Sequence, residues 1–215
     1  MIQNYALQGM QQEFFLNNTI NYYSENAQQF LTQYDSVDAT EVHASWYQHL
    51  ANLPVEYALD VGAGSGRDAR WLAEQGWQVT AVEPAEQLRL LASKLPHPHI
   101  RWCDASLPHL ANLPATPHHY SLILLSAVWM HLPDAQREPA MAALASKLDL
   151  QGTLVISLRF GPSDPKRPMF PVSIEEIQEL AAQFNLKITN ASSRNIDQLK
   201  RSDVHWETVL LQHME

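Results

Sequence analysis

From about Asn52 onward the chain alternates short apolar runs with stretches in which apolar residues recur every three or four positions. VEYALDV (55–61) reads as a buried strand, and Ala69, Leu72, Ala73 and Gly76 then follow at i, i+3, i+4, i+7, the signature of one helix face. WQVTAV (77–82) is the next strand, and Pro84 suits the first position of the helix behind it. That helix carries Leu88, Leu91, Ala92 and Leu95 on one side. IRWC (100–103) is a third strand, and YSLILLS (120–126) a fourth, apolar on both faces as a central parallel strand should be. Met141, Leu144, Ala145 and Leu148 mark a further helix, and TLVISLR (153–159) the fifth strand. Ser173 and Glu176 have capping-box spacing ahead of Ile177, Leu180, Ala181 and Phe184. LKITNAS (186–192) and HWETVLL (205–211) close the series. With no helical signal between them, they are expected to form an antiparallel hairpin at one edge. The pattern predicts an α/β fold, a doubly wound and mostly parallel seven-stranded sheet with helices on both faces and an antiparallel edge strand.

Residues 1–51 read differently. Ala27, Phe30, Leu31 and Tyr34 make one helical stripe, and His43, Trp46, Tyr47 and Leu50 a second, entered by Asp38 with Glu41 in capping-box spacing. Too short for its own core, this segment is expected to be an N-terminal helical cap or lid over a main domain at 52–215. Pro162, Pro165, Pro168 and Pro171 recur every third residue between strand five and the next helix. Such a stiff loop cannot join a sheet, and it is a candidate active-site wall or a plain connector.

Composition narrows the classes. Of 215 residues 46% are hydrophobic and 17% charged, which excludes a disordered chain. The formal charge of −9 lowers the expectation of a nucleic acid or an anionic membrane as partner, without excluding a local basic patch. One cysteine, Cys103, permits no internal disulfide and no thiolate zinc site. His97, His99, His118 and His119 lie in Pro-rich loops without a carboxylate at ligand spacing, so no metal is expected. The N-terminus has neither a basic region nor an unbroken apolar run, and the most apolar stretch, 122–130, falls far short of the ~20 residues of a membrane span. A cytoplasmic protein is the expectation.

The informative segment is LDVGAGSGRDARWLAEQGWQVTAVEP (59–84). Gly62, Gly64 and Gly66 fall where strand one gives way to a helix, the usual nucleotide position in an open parallel sheet. Glu83 ends strand two, 21 residues after Gly62, where a carboxylate can accept from both ribose hydroxyls. The spacing G-x-G-x-G is not the pyrophosphate fingerprint G-x-G-x-x-G. Asp60, two residues before the first glycine, sets a negative charge where a pyrophosphate would sit but a cationic ammonium and sulfonium would be welcome. Asp104 closes strand three, another 21 residues on, in position to accept from an adenine amino group. Acids on three successive strand ends suit S-adenosylmethionine and suit a dinucleotide, hence an NAD-dependent oxidoreductase, poorly.

This combination resembles motif I and its successors in the class I (Rossmann-like) S-adenosylmethionine-dependent methyltransferases, of the small bacterial type, over roughly residues 55–212. The resemblance implies S-adenosylmethionine as methyl donor, S-adenosylhomocysteine as product, and a set of binding residues. Asp60, Gly62 and Gly64 would line the methionine part. Glu83 would hold the ribose with Pro84 or Ala85 beside the adenine, Asp104 and the Ala105 amide would read the adenine edge, and Ser126 and Ala127 would flank the methionine. Many relatives have a Pro-Gly-Gly turn before strand five, where this chain has LDLQGTL.

Methyl transfer from a sulfonium needs alignment and exclusion of water, and a base only where the acceptor arrives protonated. His131, just after strand four, is the candidate base, or alternatively a packing residue. Arg159, ending strand five, opens toward the same cleft and can pair with a substrate carboxylate or phosphate, or with a local acid. Tyr23 and Tyr34 of the cap, with Tyr22, are candidate ring faces for the sulfonium or its substrate. Charge and the lack of an appended nucleic-acid module favour a small-molecule acceptor. A tRNA or protein methyltransferase would need a basic rim, for which Lys166 with Arg167 and Lys200 with Arg201 are the available clusters. A non-catalytic S-adenosylmethionine-binding module is the rival from another class. The acceptor atom and the oligomeric state are not legible.

Overall fold

The computed structural model describes residues 15–114, 118–192 and 195–214; the first fourteen residues of the expected cap lie outside the described residues. Five strands are parallel: β1 (Tyr57–Val61), β2 (Gln78–Val82), β3 (Ile100–Cys103), β4 (Tyr120–Leu125) and β5 (Leu148–Phe160). Three further strands, β6 (Leu186–Ala191), β7 (Asn195–Ile196) and β8 (His205–His213), complete the sheet in the order β3-β2-β1-β4-β5-β8-β6, with the short β7 also on β8. The expected hairpin is present, and its reversed strand β8 lies one in from the edge, between β5 and β6. The sheet reverses direction of travel between β1 and β4, and ligands of such sheets bind at the carboxyl ends beside that point.

Alternation explains both layers. Leu59, Ile123, Leu125, Ile156 and Leu158 face one side with Met141 and Leu144 of α6 (Asp134–Ala145) and Ile177 and Ala181 of α7 (Ile174–Gln183). Ala58, Leu122, Leu124 and Val155 face the other with Ala69, Leu72 and Ala73 of the helix Arg67–Glu74. Each fully buried leucine of β4 contributes about 1.5–3 kcal/mol by leaving water. Ser173 caps α7 by accepting from Glu176 N, but the Glu176 carboxylate turns to Arg137 (2.6 Å) rather than closing the box.

The N-terminal segment holds α1 (described over 15–25), α2 (Ala27–Tyr34) and α3 (Ala39–Val42); Arg67–Glu74 is then α4 and Glu86–Ala92 α5. Phe30 and Ala27 of α2 pack on Ala85 and Leu88 at the head of α5. The second helix expected over His43–Leu50 is instead α3, a turn, and a 3-10 helix at Tyr47–Asn52. His43 breaks it by turning inward: its Nδ1 accepts from the Trp46 indole (3.2 Å) and its Nε2 stands 3.1 Å from Asp68. Other boundaries shift for similar local reasons. Gly76, at φ 95°, ends the turn after α4 instead of extending it. Pro84 precedes the α5 cap, Ala85. The LDLQGTL stretch, expected as a turn, is already strand, entered through an irregularity opposite Tyr120 and Leu122. A Cβ on Gly152 there would meet the Tyr120 carbonyl oxygen at 2.7 Å.

Candidate active site

The loop from β1 to α4 is built for close approach by a ligand. Gly62, Gly64 and Gly66 have φ of 72°, 57° and 77°, conformations that a side chain disfavours. A Cβ on Gly62 would stand 2.5 Å from Val128 Cγ2. The loop is held open by Glu83, whose carboxylate accepts from Gly64 N and Ala85 N, both at 2.8 Å. Burial pushes Glu83 up to about 7, against the pull of those two N–H groups.

Gly62, Gly64, Glu83, Pro84, Ser126 and Ala127 line one cavity of about 310 Å³ along the carboxyl ends of the strands, a size suited to small molecules. A narrower apolar slot of about 60 Å³ adjoins it between Val82, Pro84, Ala105 and Leu107. Ala127 holds a left-handed backbone, φ 62°, with its N–H donated to Ser157 Oγ at 2.7 Å. Such a backbone on a non-glycine residue marks strain of the kind concentrated at working sites.

Two expected cofactor residues stand elsewhere. Asp60 is 1% exposed and lies beneath the loop against the start of α4, off the cavity wall. Its Oδ2 has no partner, and burial first, then the Asp68 charge, push its carboxyl well above the usual range. Asp104 is outside both cavity walls, two-thirds exposed, with its carboxylate drawn to Arg89 Nη2 at 3.1 Å. Asp68 is opposite in character to Asp60: burial raises it, but His43 and Arg67 outweigh burial and hold it well below the carboxylate range.

The far wall comes from three separated segments. His131 Nδ1 donates to Pro168 O (3.0 Å), which leaves Nε2 to accept from the Tyr23 hydroxyl (3.1 Å). The Tyr23 oxygen in turn accepts from Arg167 Nη1 at 3.0 Å. Burial pulls His131 down to about 4, with Arg167 and Arg159 adding to it against the Pro168 bond. Tyr34 is half-buried beside Tyr23; loss of water around it, then Tyr23, raises its hydroxyl and keeps it neutral. Arg159 also lines the cavity, its Nη1 donating to Pro162 O at 3.0 Å. The proline loop is therefore a wall of the site and not a bare connector, for Arg167 and Met169 face the cavity and Pro168 fixes His131.

Sequence reasoning missed Leu16, Thr19 and Ile20 beside Tyr23, together with Ser157 and Trp206, and placed two arginines on an outer rim. Leu16, Thr19, Ile20 and Tyr23 form an i, i+3, i+4, i+7 stripe on α1 that faces the cavity, and that spacing was a readable signal. Ser157 lies two residues before Arg159, on the same face of β5. Arg167 and Arg201, read as a possible basic rim, turn inward to Asp164 (3.2 Å) and Asp197 (2.6 Å). Trp206 fixes Asp197 through its indole at 2.8 Å, a contact with no sequence signal. No cluster of metal-holding side chains and no helix long and apolar enough to cross a membrane is present among the described residues.

Residues 58–152 match a family profile described as "Methyltransferase domain". An "Uncharacterized methyltransferase" of Alkaliphilus oremlandii (strain OhILAs) is 33% identical over 100 residues, 46% of this chain; the chain thus spans under half, 44%, of that relative. Among solved structures, the chain is similar to Burkholderia thailandensis 1,6-didemethyltoxoflavin-N1-methyltransferase, holding 1,6-didemethyltoxoflavin and S-adenosylhomocysteine. The TM-score is 0.73 at 16% identity over 95% of this chain and 91% of that one. A TehB-like methyltransferase of Corynebacterium glutamicum gives 0.63 at 22% identity over 89% and 98%. The matched segment thus resembles a methyltransferase domain, and the fold is the Rossmann-like one of the S-adenosylmethionine-dependent methyltransferases to which the chain is similar. The matched stretch runs from β1 into the start of β5, so it holds the glycine loop, Glu83 and His131 but not Arg159 or the proline loop.

Proposed function

We propose that the protein transfers a methyl group from S-adenosylmethionine to a small-molecule acceptor in the cytoplasm. The observation that carries this reading is the buried Glu83 carboxylate, bonded to the glycine loop at the edge of a cavity whose other wall carries His131, Tyr23 and Arg159. The residues fit the donor: a buried Glu83 carboxylate bonded to the glycine loop, three left-handed glycines, and an apolar slot beside Pro84 and Ala105. When bound, S-adenosylmethionine would supply an electrophilic methyl on a sulfonium, open to in-line attack by an acceptor lone pair with the C–S electron pair leaving on S-adenosylhomocysteine.

The chain's own residues orient and enclose. Glu83 accepts from the ribose hydroxyls, Pro84 and Ala105 flank the adenine, and Asp104 takes its amino group once it leaves Arg89. Gly62, Gly64, Ser126 and Ala127 surround the methionine part above Asp60. Tyr23 and Tyr34 bring ring faces over the reacting end, and the cap at 1–51 acts as a lid that keeps water out. His131 is neutral at pH 7, and its Nε2 lone pair, which accepts from the Tyr23 hydroxyl, takes up an acceptor's proton through that hydroxyl; its low basicity suits an acceptor whose proton becomes acidic once the methyl is attached. Arg167 and Arg201 spend their charge inside the cavity, which leaves a small molecule favoured over tRNA or protein.

Calorimetric titration with S-adenosylhomocysteine, with NAD as control, tests the reading. Saturable binding of S-adenosylhomocysteine with NAD silent is expected. Binding of NAD instead, or of neither, overturns it.

A further inference from the structure

Arg159 is the side chain in the cavity whose charge the protein does not answer. It is 8% exposed at the end of β5. Its only hydrogen bond goes to a carbonyl, Pro162 O, its buried Nε has no partner, and no carboxylate lies within ion-pair distance among the described residues. Asp203, whose charge also reaches Arg159, is exposed and lies beyond ion-pair distance, and the other acids nearby are committed. Asp197 receives Arg201 at 2.6 and 2.9 Å together with the Trp206 indole, and Asp164 receives Arg167. Burial lowers Arg159, and the charges of Arg201 and Arg167 lower it further against the pull of Asp197 and Asp203, so the guanidinium is left without an ion-pair partner of its own. A buried guanidinium in that state is favourable only when a ligand supplies the anion.

Its position fixes what that ligand is. Arg159 lies two residues beyond Ser157 on one face of β5, a separation of roughly 7 Å along a strand. Ser157 holds Ala127 N at the end of β4, where the reading above puts the reacting methionine end. We infer that Arg159 anchors a carboxylate of the methyl acceptor, so that the acceptor is a small organic acid whose body spans from Arg159 to the Ser126–Ala127 corner. This rests on the methyltransferase reading and adds its substrate class. One unanswered cation matches one negative charge; a phosphate monoester, at about −1.5 to −2, overfills it.

The test uses benzoate, the uncharged benzamide and phenyl phosphate as probes, titrated by calorimetry or ligand-observed NMR with and without S-adenosylhomocysteine. The wild type is expected to bind benzoate at least tenfold more tightly than benzamide. Arg159→Gln is expected to abolish that difference while S-adenosylhomocysteine affinity stays within twofold, and Arg159→Lys to recover part of it. Equal binding of benzoate and benzamide by the wild type, a preference that survives in Arg159→Gln, or tighter binding of phenyl phosphate each overturns the inference. Should Arg159→Gln not fold, the wild-type ratio and Arg159→Lys decide. Loss of S-adenosylhomocysteine binding by every protein, with benzoate still discriminated, sinks the methyltransferase reading and leaves the anion site standing.

Discussion

The glycine-loop end of the cavity and the end formed by β5 and β8 are made of different material, buried acids at one and arginines at the other. At the first, main-chain N–H groups and left-handed glycines do the shaping, with two buried acids, Glu83 and Asp60, that burial pushes toward the protonated form. At the second, long side chains from the proline loop, β5, β8 and the stretch before β8 meet, and three arginines outnumber the carboxylates that answer them. A ligand with a cationic centre belongs at one end and an anionic one at the other. The chain's net charge of −9 predicts neither, since a local field is set by the few groups that face it in a low-dielectric space.

Removing the acid end's anchor has the largest expected effect. Glu83→Ala should weaken S-adenosylhomocysteine on the order of 100-fold, the worth of losing charge-assisted hydrogen bonds to the ribose. It also orphans Gly64 N and Ala85 N, at about 1–3 kcal/mol for each buried donor, so a lower melting temperature with a single cooperative transition should accompany the loss. An unchanged dissociation constant would remove Glu83 from the ribose site.

Next in size is a pH effect at the boundary between the two ends. The folded protein keeps His131 neutral down to about 4, whereas the unfolded chain protonates it near 6.5. The unfolded state therefore binds the extra proton between those values, and stability falls on acidification through that window. Relative to His131→Asn, the wild type should lose about 3 kcal/mol between pH 6.5 and 4, read from denaturant midpoints. Glu83 acts with the opposite sign: the fold takes its proton first, near 7, and gains stability as pH drops toward 4.5. Parallel curves for the wild type and His131→Asn contradict the burial of a neutral imidazole.

The smallest effect is expected at Asp104. Its exposed carboxylate must trade Arg89 for an adenine amino group, so Asp104→Asn should cost only about two- to fivefold in S-adenosylhomocysteine affinity, in line with a solvent-screened pair. A loss as large as that of Glu83→Ala would mean that the acid swings inward and closes over the base.

The same division explains what the sequence made legible. The acid end is encoded within one stretch, because a strand, a tight turn and a helix start are local events and the strand-end acids recur at 21 residues. The mostly parallel sheet and the β6–β8 hairpin also follow from the alternation of strand and helix signals. The other end draws Tyr23, His131, Arg159, Arg167 and Trp206 from positions far apart in the chain, and no spacing announces such a meeting. Arg159 was visible as a strand-end cation, but whether an acid answered it depended on where Asp197 and Asp164 point. The cap's second helix was misread for the same reason: its apolar period was real, yet a tertiary partner, Asp68, drew His43 out of it.

That His43–Asp68 contact bears on how the protein can be recombined. Asp68 opens the helix after the glycine loop, and its charge inside the protein is answered by Arg67 and by an imidazole supplied from the N-terminal segment. A chimera whose first fifty residues bring no histidine to that place inherits a buried carboxylate one contact short, beside a second acid, Asp60, whose Oδ2 already lacks a partner. The two parts must be exchanged together, with the histidine and the aspartate travelling as a matched pair.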